Sequence, residues 1–490
     1  MSELDPRTPV IVGVGQVTHR DDVADTDRTP LEVMAQAVDA AAADAGVEDL
    51  PSQARLWIAS AGVFRYGDPA GLIARRHGAA DAQCRLTNFG GNLPQAAVAH
   101  VAARIQAGEL DVGVVLGGEA ERNRRLVAAD GGHLDSTGGD DDVPAPRFGS
   151  ESPIPGEVEL EVGAGVPAVS YALFESALRA HRGETLAQNE AALGALWAAF
   201  SEVARSNPYA WNRAGSDAAT IATPSPDNRM VAYPYTKAMC ANPQVDMGAA
   251  VLLCSVEVAR ARGIAPDRWV FPQSSATGHD TAALLERHAL HTSLAIEPVG
   301  RAALDHAGIG VDDIGLVDLY ACFPSIVRMT AGALGLGDRP LTVTGGLNFG
   351  GGPLNNATLH AIAAMVARLR TDAGSWGLVH GNGGMATKHS IGIYRSAPPS
   401  RAFADIDAGA AIEARPRVAD HDHVGRGTIV GYTVIHDREG PEAVLAILRT
   451  TEGSQTFARS TDTPLMIRAG QEELVGLPAR RTDAGQLVLD

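Results

Sequence analysis

Short apolar runs alternate with amphipathic stretches along most of the chain, and they follow a recurring order. Val10–Gln16 (VIVGVGQ) predicts a strand. Leu31–Gly46 carries apolar residues at three- and four-residue spacing and ends in glycine, which predicts a helix with a glycine stop. Leu56–Ser60 predicts a short strand. Thr87–Pro94 (TNFGGNLP) opens a predicted helix running to about Gly108, and the strand Val112–Leu116 follows, closed by Gly117 and Gly118.

The same order returns late in the chain. Arg301–Gly308 predicts a helix ending in glycine, and Ile314–Leu319 a strand. Asn348–Pro353 (NFGGGP) opens a long predicted helix to about Arg370, followed by the strand Ser375–Val379 and the glycines of Gly381–Gly384. NFGG therefore starts at Asn88 and again at Asn348, each copy followed by a proline, an alanine-rich helix, an apolar strand and a glycine pair. The matched order implies an internal duplication. Strand–helix alternation implies α/β layers with mostly parallel strands, and two such halves would bring their helix N-termini near one site.

Residues 120–250 break the pattern with Arg- and Asp-rich turns, a Pro- and Gly-rich stretch and a helix around Tyr171–Arg182; Asp246–Val258 then resumes as a buried helix or strand–helix segment. After Tyr394 the character changes. Ala397–Ser400 (APPS) reads as a linker, and Thr428–His436, Ala443–Leu448 and Gln455–Arg459 are strand candidates separated by polar turns. That tail predicts a small β-barrel or sandwich.

Composition narrows the function. The chain has 490 residues, 45% of them hydrophobic, enough for two or three domains. A net charge of -18 and a pI near 5.3 argue against nucleic acid as a partner. No run approaches the ~20 apolar residues of a membrane span, and Met1–Val10 lacks an export pattern. Cys84, Cys240, Cys254 and Cys322 have no metal-type spacing; a reducing, cytoplasmic compartment and no metal are expected. The 54 glycines cluster in loops that match neither dinucleotide nor P-loop fingerprints. At a helix start they offer close backbone approach and N–H donors, suited to a thioester carbonyl or an oxyanion.

The ordered motifs of residues 8–394 resemble the thiolase superfamily, nearest its sterol-carrier-protein-type branch through DLYACFPS at Asp318–Ser325. GGE at Gly117–Glu119, the glycines of Gly345–Pro353 and the loop His380–Ala386 extend the likeness. With the extra tail, the chain is similar to mycobacterial thiolase-like proteins of type 1, usually classed by name as acetyl-CoA acetyltransferases. The resemblance implies an α/β duplicated thiolase-like fold (αβαβα layers) with a small C-terminal β-barrel-like domain. It implies an N-terminal half over residues 8–265 with an insertion at about 120–245, a C-terminal half over 266–396, and an OB-like domain over 401–490. It also implies coenzyme A or acyl-CoA as ligand, no tightly bound cofactor, and a monomer, with a dimer still open.

Its chemistry departs from the family. The acyl-accepting cysteine's position falls on Gly90, the activating histidine's on Gly352, and the second cysteine's on His380. Glycine forms no thioester, so turnover through an acyl-cysteine is not expected. Candidate catalytic groups are His380 as a proton donor or acceptor, Tyr320 as base or orienting phenol, Cys322 as displaced nucleophile or inert thiol, and the amide of Asn348. Candidate ligand-binding groups are Gly90, Gly91, Asn382 and Gly383, with Lys237 for a coenzyme A phosphate. Asp246 and His360 read as structural. Three functions remain: an acyl-CoA-binding thiolase-like protein, a carbon–carbon lyase (aldolase) on β-hydroxyacyl-CoA, or a non-catalytic scaffold. The tail is a candidate surface for a partner enzyme.

Overall fold

The protein is described here by a computed structural model covering residues 4–139, 142–150 and 156–490. The expectation for Met1–Val10 therefore falls partly outside the described residues, as do 140–141 and 151–155 of the inserted region.

Thr29 caps the first helix, Pro30–Ala45: its hydroxyl accepts from the Glu32 N–H at 3.2 Å, and Gly46 ends the helix at φ 71°. The helix lays its alanines on a six-stranded sheet. That sheet runs Pro9–Thr18, Asp246–Ser255, Val112–Ala120, Leu56–Ala59, Gln83–Thr87, Arg147–Phe148. Its first two pairings are antiparallel and the other three parallel. The second sheet runs Ile314–Asp318, Trp376–Gly383, Lys388–Arg395, Phe271–His279, Asp405–Asp407. Its outer pairings are parallel and its inner two antiparallel.

The sheets are thus mixed, with five parallel and four antiparallel pairings, where mostly parallel strands were expected. Trp376–Gly383 turns straight back into Lys388–Arg395, and a short turn allows only antiparallel pairing. The glycines predicted to close strands instead lie inside them. Gly117 and Gly118 belong to Val112–Ala120, and Gly381 to Trp376–Gly383.

Two helices, Leu93–Gln106 and Ala357–Thr371, lie between the sheets and touch strands of both. Val98, Val101, Ile362, Met365 and Val366 fill one core with Ile58, Val115 and Val379 from the two sheets. The second helix starts later than NFGGGP suggests. Gly345 and Gly351 hold φ of 97° and 109°, outside helical geometry, so regular helix waits until Ala357.

The described part of residues 120–250 carries loops and helices, as expected. It holds Pro167–Arg182 and the unforeseen helix Leu186–Ser206, opened by a Thr185–Gln188 capping box. It also sends Met230–Ala232 and Tyr235–Thr236 to a seven-stranded sheet otherwise drawn from the tail. The main path of that sheet runs Gln455–Ser460, Pro441–Thr450, Gly425–His436, Pro478–Arg481, Leu487–Leu489, antiparallel throughout. Among the described residues no helix is long and apolar enough to cross a membrane.

Helix and sheet approach closest at Gly15, where an added Cβ would stand 1.9 Å from the Ala37 carbonyl oxygen. Gly15→Ala should therefore cost about 3 kcal/mol of stability, read from the urea midpoint. An unchanged midpoint would show that the sheet gives way freely.

Candidate functional site

A cavity of about 780 Å3 opens where the two helix N-termini, the end of strand Trp376–Gly383 and the start of helix Pro167–Arg182 converge. Its floor is backbone. At Gly383 an added Cβ would meet Asn92 Oδ1 at 2.3 Å and the Gly90 Cα at 3.0 Å. At Gly91 it would meet the Tyr320 ring at 2.4 Å. The second helix start is tied to the first: Asn355 Oδ1 accepts from the Gly90 N–H at 3.0 Å, and the Thr358 hydroxyl donates to the Gly91 carbonyl.

The structure brings Gly90, Gly91, Tyr320, Cys322, Asn382 and Gly383 to this cavity. It does not bring the others. Asn348 spends its amide on the Cys240 carbonyl at 2.8 Å, pinning its own loop. Lys237 is exposed and outside the lining, because the short turn Lys237–Met239 directs Cys240 inward instead.

His380 lies inside the strand, one position before Gly381, and is buried. It borders a separate chamber of about 20 Å3 shared with Tyr320, His360, Asp318 and Gln16. Its Nε2 sits 3.1 Å from His389 Nδ1. Burial and the neighbouring His389 hold it well below the usual imidazole range, so it is neutral. The expected proton exchange beside a glycine turn therefore does not match its position; Tyr320 stands between His380 and the large cavity, lining both.

Burial likewise raises the Tyr320 phenol well above its ordinary range. Its hydroxyl donates weakly to the Leu354 carbonyl at 3.4 Å. That favours the orienting role over the base. Burial pushes the Cys322 thiol up to about 12, against the lowering influence of Tyr171 and Asn382 beside it. That favours the inert thiol over the displaced nucleophile. Gly90 is no free donor either, its N–H being taken by Asn355.

Sequence reasoning missed Tyr171, which organises the wall. Its hydroxyl donates to the Gly384 carbonyl at 3.0 Å and accepts from Asn382 Nδ2 at 2.8 Å and the Ala386 N–H at 3.0 Å. It also missed Lys388 in the wall, and the apolar rim of Phe89 and Val166, 57% and 54% exposed. The doubled asparagine after NFGGGPL was the one available signal, for Asn355. Of the two residues read as structural, Asp246 is fully buried and accepts from the Asn123 N–H at 2.9 Å, and His360 Nδ1 faces Gln16 Oε1 at 2.9 Å. Among the described residues no group of three or more His, Cys, Asp or Glu could hold a metal ion.

The whole chain superposes on a monomeric SCP2-thiolase-like protein type 1 from Mycobacterium smegmatis, with TM-score 0.86 and 32% identity, covering 100% of both chains. It also matches an Ltp2–ChsH2(DUF35) aldolase with TM-score 0.59 and 20% identity over 79% of this chain and 98% of that one, a likeness of fold alone. An acetyl-CoA acetyltransferase from Methanothermobacter thermautotrophicus is 29% identical over 191 residues, 33% of this chain. The chain spans about half, 49%, of the length of that relative. No family model matches the chain.

Glu119 accepts from the Val63 N–H at 3.2 Å, and burial pushes its carboxyl from 4.5 to about 8. The folded protein thus keeps a proton that the unfolded chain releases above about pH 4.5. That contribution is complete below pH 4.5 and is lost as pH rises through about 8. Urea titrations should give a slope of up to ~1.4 kcal/mol per pH unit between about pH 5 and 8, removed in Glu119→Gln; equal slopes in both proteins would refute it. The thiols of Cys84, Cys240, Cys254 and Cys322 are all pushed to about 12. Iodoacetamide at about pH 8 should leave them unmodified until the protein is unfolded in urea, as read by intact mass; rapid labelling of Cys322 in the folded state would restore it as a nucleophile.

Proposed function

The chain belongs to the thiolase superfamily, and from that membership we propose that it binds a coenzyme A thioester in the large cavity without forming an acyl-cysteine. The observation that carries this reading is the cavity itself. It has about 780 Å3, an apolar rim and backbone glycines at its floor, and Cys322, its wall thiol nearest Asn382, is pushed to about 12. Such a space suits a thin, mostly apolar ligand chain, while the floor offers no side chain to acylate.

A second reading, a carbon–carbon lyase on β-hydroxyacyl-CoA, draws support from the neutral hydroxyl of Tyr320 and the amide of Asn382 in the same wall. A retro-aldol step needs proton transfer and enolate stabilisation but no covalent thioester. The acetyltransferase and aldolase names belong to the relatives.

The same reading takes the two mixed sheets as copies of one unit, in αβαβα layers. Strands Pro9–Thr18, Asp246–Ser255, Val112–Ala120 and Leu56–Ala59 pair in the order antiparallel, antiparallel, parallel. Phe271–His279, Lys388–Arg395, Trp376–Gly383 and Ile314–Asp318 repeat that order. We divide the chain into halves at 8–265 and 266–396 and a barrel-like domain at 401–490, assign a monomer by analogy with the monomeric relative, and place the protein in the cytoplasm, in keeping with its four free cysteines.

Calorimetric titration with coenzyme A and acetyl-CoA tests the reading. Saturable binding at ~100 μM or tighter is expected. Phe89→Ala should weaken it about fivefold, at no cost to folding because Phe89 is 57% exposed. Absence of heat with both ligands would overturn the proposal.

A further inference from the structure

One stripe of helix Pro167–Arg182 links the C-terminal sheet to the cavity wall. Tyr171, Glu175 and Arg179 follow one another at four-residue steps and are all buried. Tyr171 holds the cavity wall through Asn382, Gly384 and Ala386. Glu175 accepts from the Tyr235 hydroxyl at 2.9 Å and from Arg328. Arg179 makes a two-pronged bond to Glu473, Nε to Oε2 at 2.7 Å and Nη2 to Oε1 at 3.0 Å, and Nη2 also donates to the Tyr432 hydroxyl at 3.0 Å. One turn before Arg179, the Ser176 hydroxyl accepts from the Tyr432 N–H at 2.9 Å.

We propose that the C-terminal region is a positioning element for the ligand cavity: Tyr432 of its sheet and Glu473, in the loop before strand Pro478–Arg481, fix Arg179, and the rigid helix carries that register to Tyr171. A helix rises about 1.5 Å per residue, so Arg179 and Tyr171 stand about two turns apart on one rod. A planar guanidinium held by both carboxylate oxygens allows little sliding or rotation. At the other end, the Tyr171 hydroxyl uses its one proton on Gly384 and its acceptor capacity on Asn382 and Ala386. A shift of the rod by a fraction of an ångström would break that set and let the Asn382 amide turn. Arg179 and Glu473 touch no part of the cavity; they act through Tyr171. The tail thereby acquires a role inside this chain.

The affinity arm of the test rests on the coenzyme A reading, so a second arm is independent of it. Arg179→Met keeps an unbranched apolar stem, removes the guanidinium and leaves Glu473, 35% exposed, with access to water. Acetyl-CoA affinity should fall about tenfold in Arg179→Met, about tenfold in Tyr171→Phe, and still only about tenfold in the double variant, because both act on one contact. A hundredfold loss in the double variant, or unchanged affinity in Arg179→Met, overturns the inference. Should the wild-type protein bind neither coenzyme A nor acetyl-CoA, the functional reading falls, and hydrogen exchange decides the positioning role. Exchange at the Ala386 amide should rise about tenfold in Arg179→Met while that of Val114, in the first sheet, stays unchanged. Equal exchange at Ala386 in both proteins, or a matching rise at Val114, overturns it.

Discussion

Two helix starts and a strand end meet where only backbone fits, and the arrangement of the site depends on that meeting. The Gly381 position would put a Cβ 2.9 Å from the Gly91 carbonyl oxygen, and the Gly383 position would put one 2.3 Å from Asn92 Oδ1. Glycine gives up packing area there and gains close approach. The contact is then locked by polar groups: Asn355 accepts from Gly90, Thr358 donates to Gly91, and Ser390 donates to the Asn92 carbonyl at 2.7 Å. The Gly90 N–H and the Gly91 carbonyl thereby find partners, and the Asn92 carbonyl, which already accepts from the Ala96 N–H at 3.2 Å, gains a second donor. The cavity is the space beside this knot, so its shape is set by backbone.

The far wall rests on a different device. Helix Pro167–Arg182 enters from the inserted region and carries Glu175 and Arg179 fully buried. Burying charge is costly unless every charge is paired. Here Arg328 donates to Glu175, to Asn189 and to both oxygens of Glu184, while Arg179 is held by Glu473. Replacing such pairs by apolar side chains would often be neutral for stability; what they supply is one register of helix against sheets. The apolar contacts around them, such as Tyr171 stacked on Phe323 with centroids 4.7 Å apart, add area without choosing that register.

Much of this was legible before any coordinate. Alternating apolar runs located Pro9–Thr18, Leu56–Ala59 and Ile314–Asp318, and glycine stops marked the ends of Pro30–Ala45 and Ile296–Ala307, because local periodicity and capping are written in adjacent residues. The first NFGG loop pointed to Gly90 and Gly91, and the glycines of Gly381–Gly384 pointed to Asn382. Legibility failed where glycine had two meanings. Gly117 and Gly381 look like stops but sit in strands, kept small by Asn356 and Asn92 pressing on them from distant segments. The same error put His380 on a loop. Tyr171 was invisible because its partners lie more than two hundred residues away, and nothing in its own helix distinguishes it from a packed aromatic.

The loss of the acyl-accepting cysteine also takes on a structural meaning. The resemblance assigns that cysteine's place to Gly90, and Gly90 holds φ of 154°, where side chains are disfavoured, with Asn92 Oδ1 2.6 Å from where a Cβ would stand. At the next position the Tyr320 ring already fills the space of a side chain on Gly91. A cysteine placed at either residue would meet strain or a ring, so restoring the residue would not restore the nucleophile. The backbone conformation, Asn92 and Tyr320 together form a site adapted to having no side chain there. In the proposed reading the Tyr320 hydroxyl and the Asn382 amide act there by hydrogen bonding and not by covalent capture.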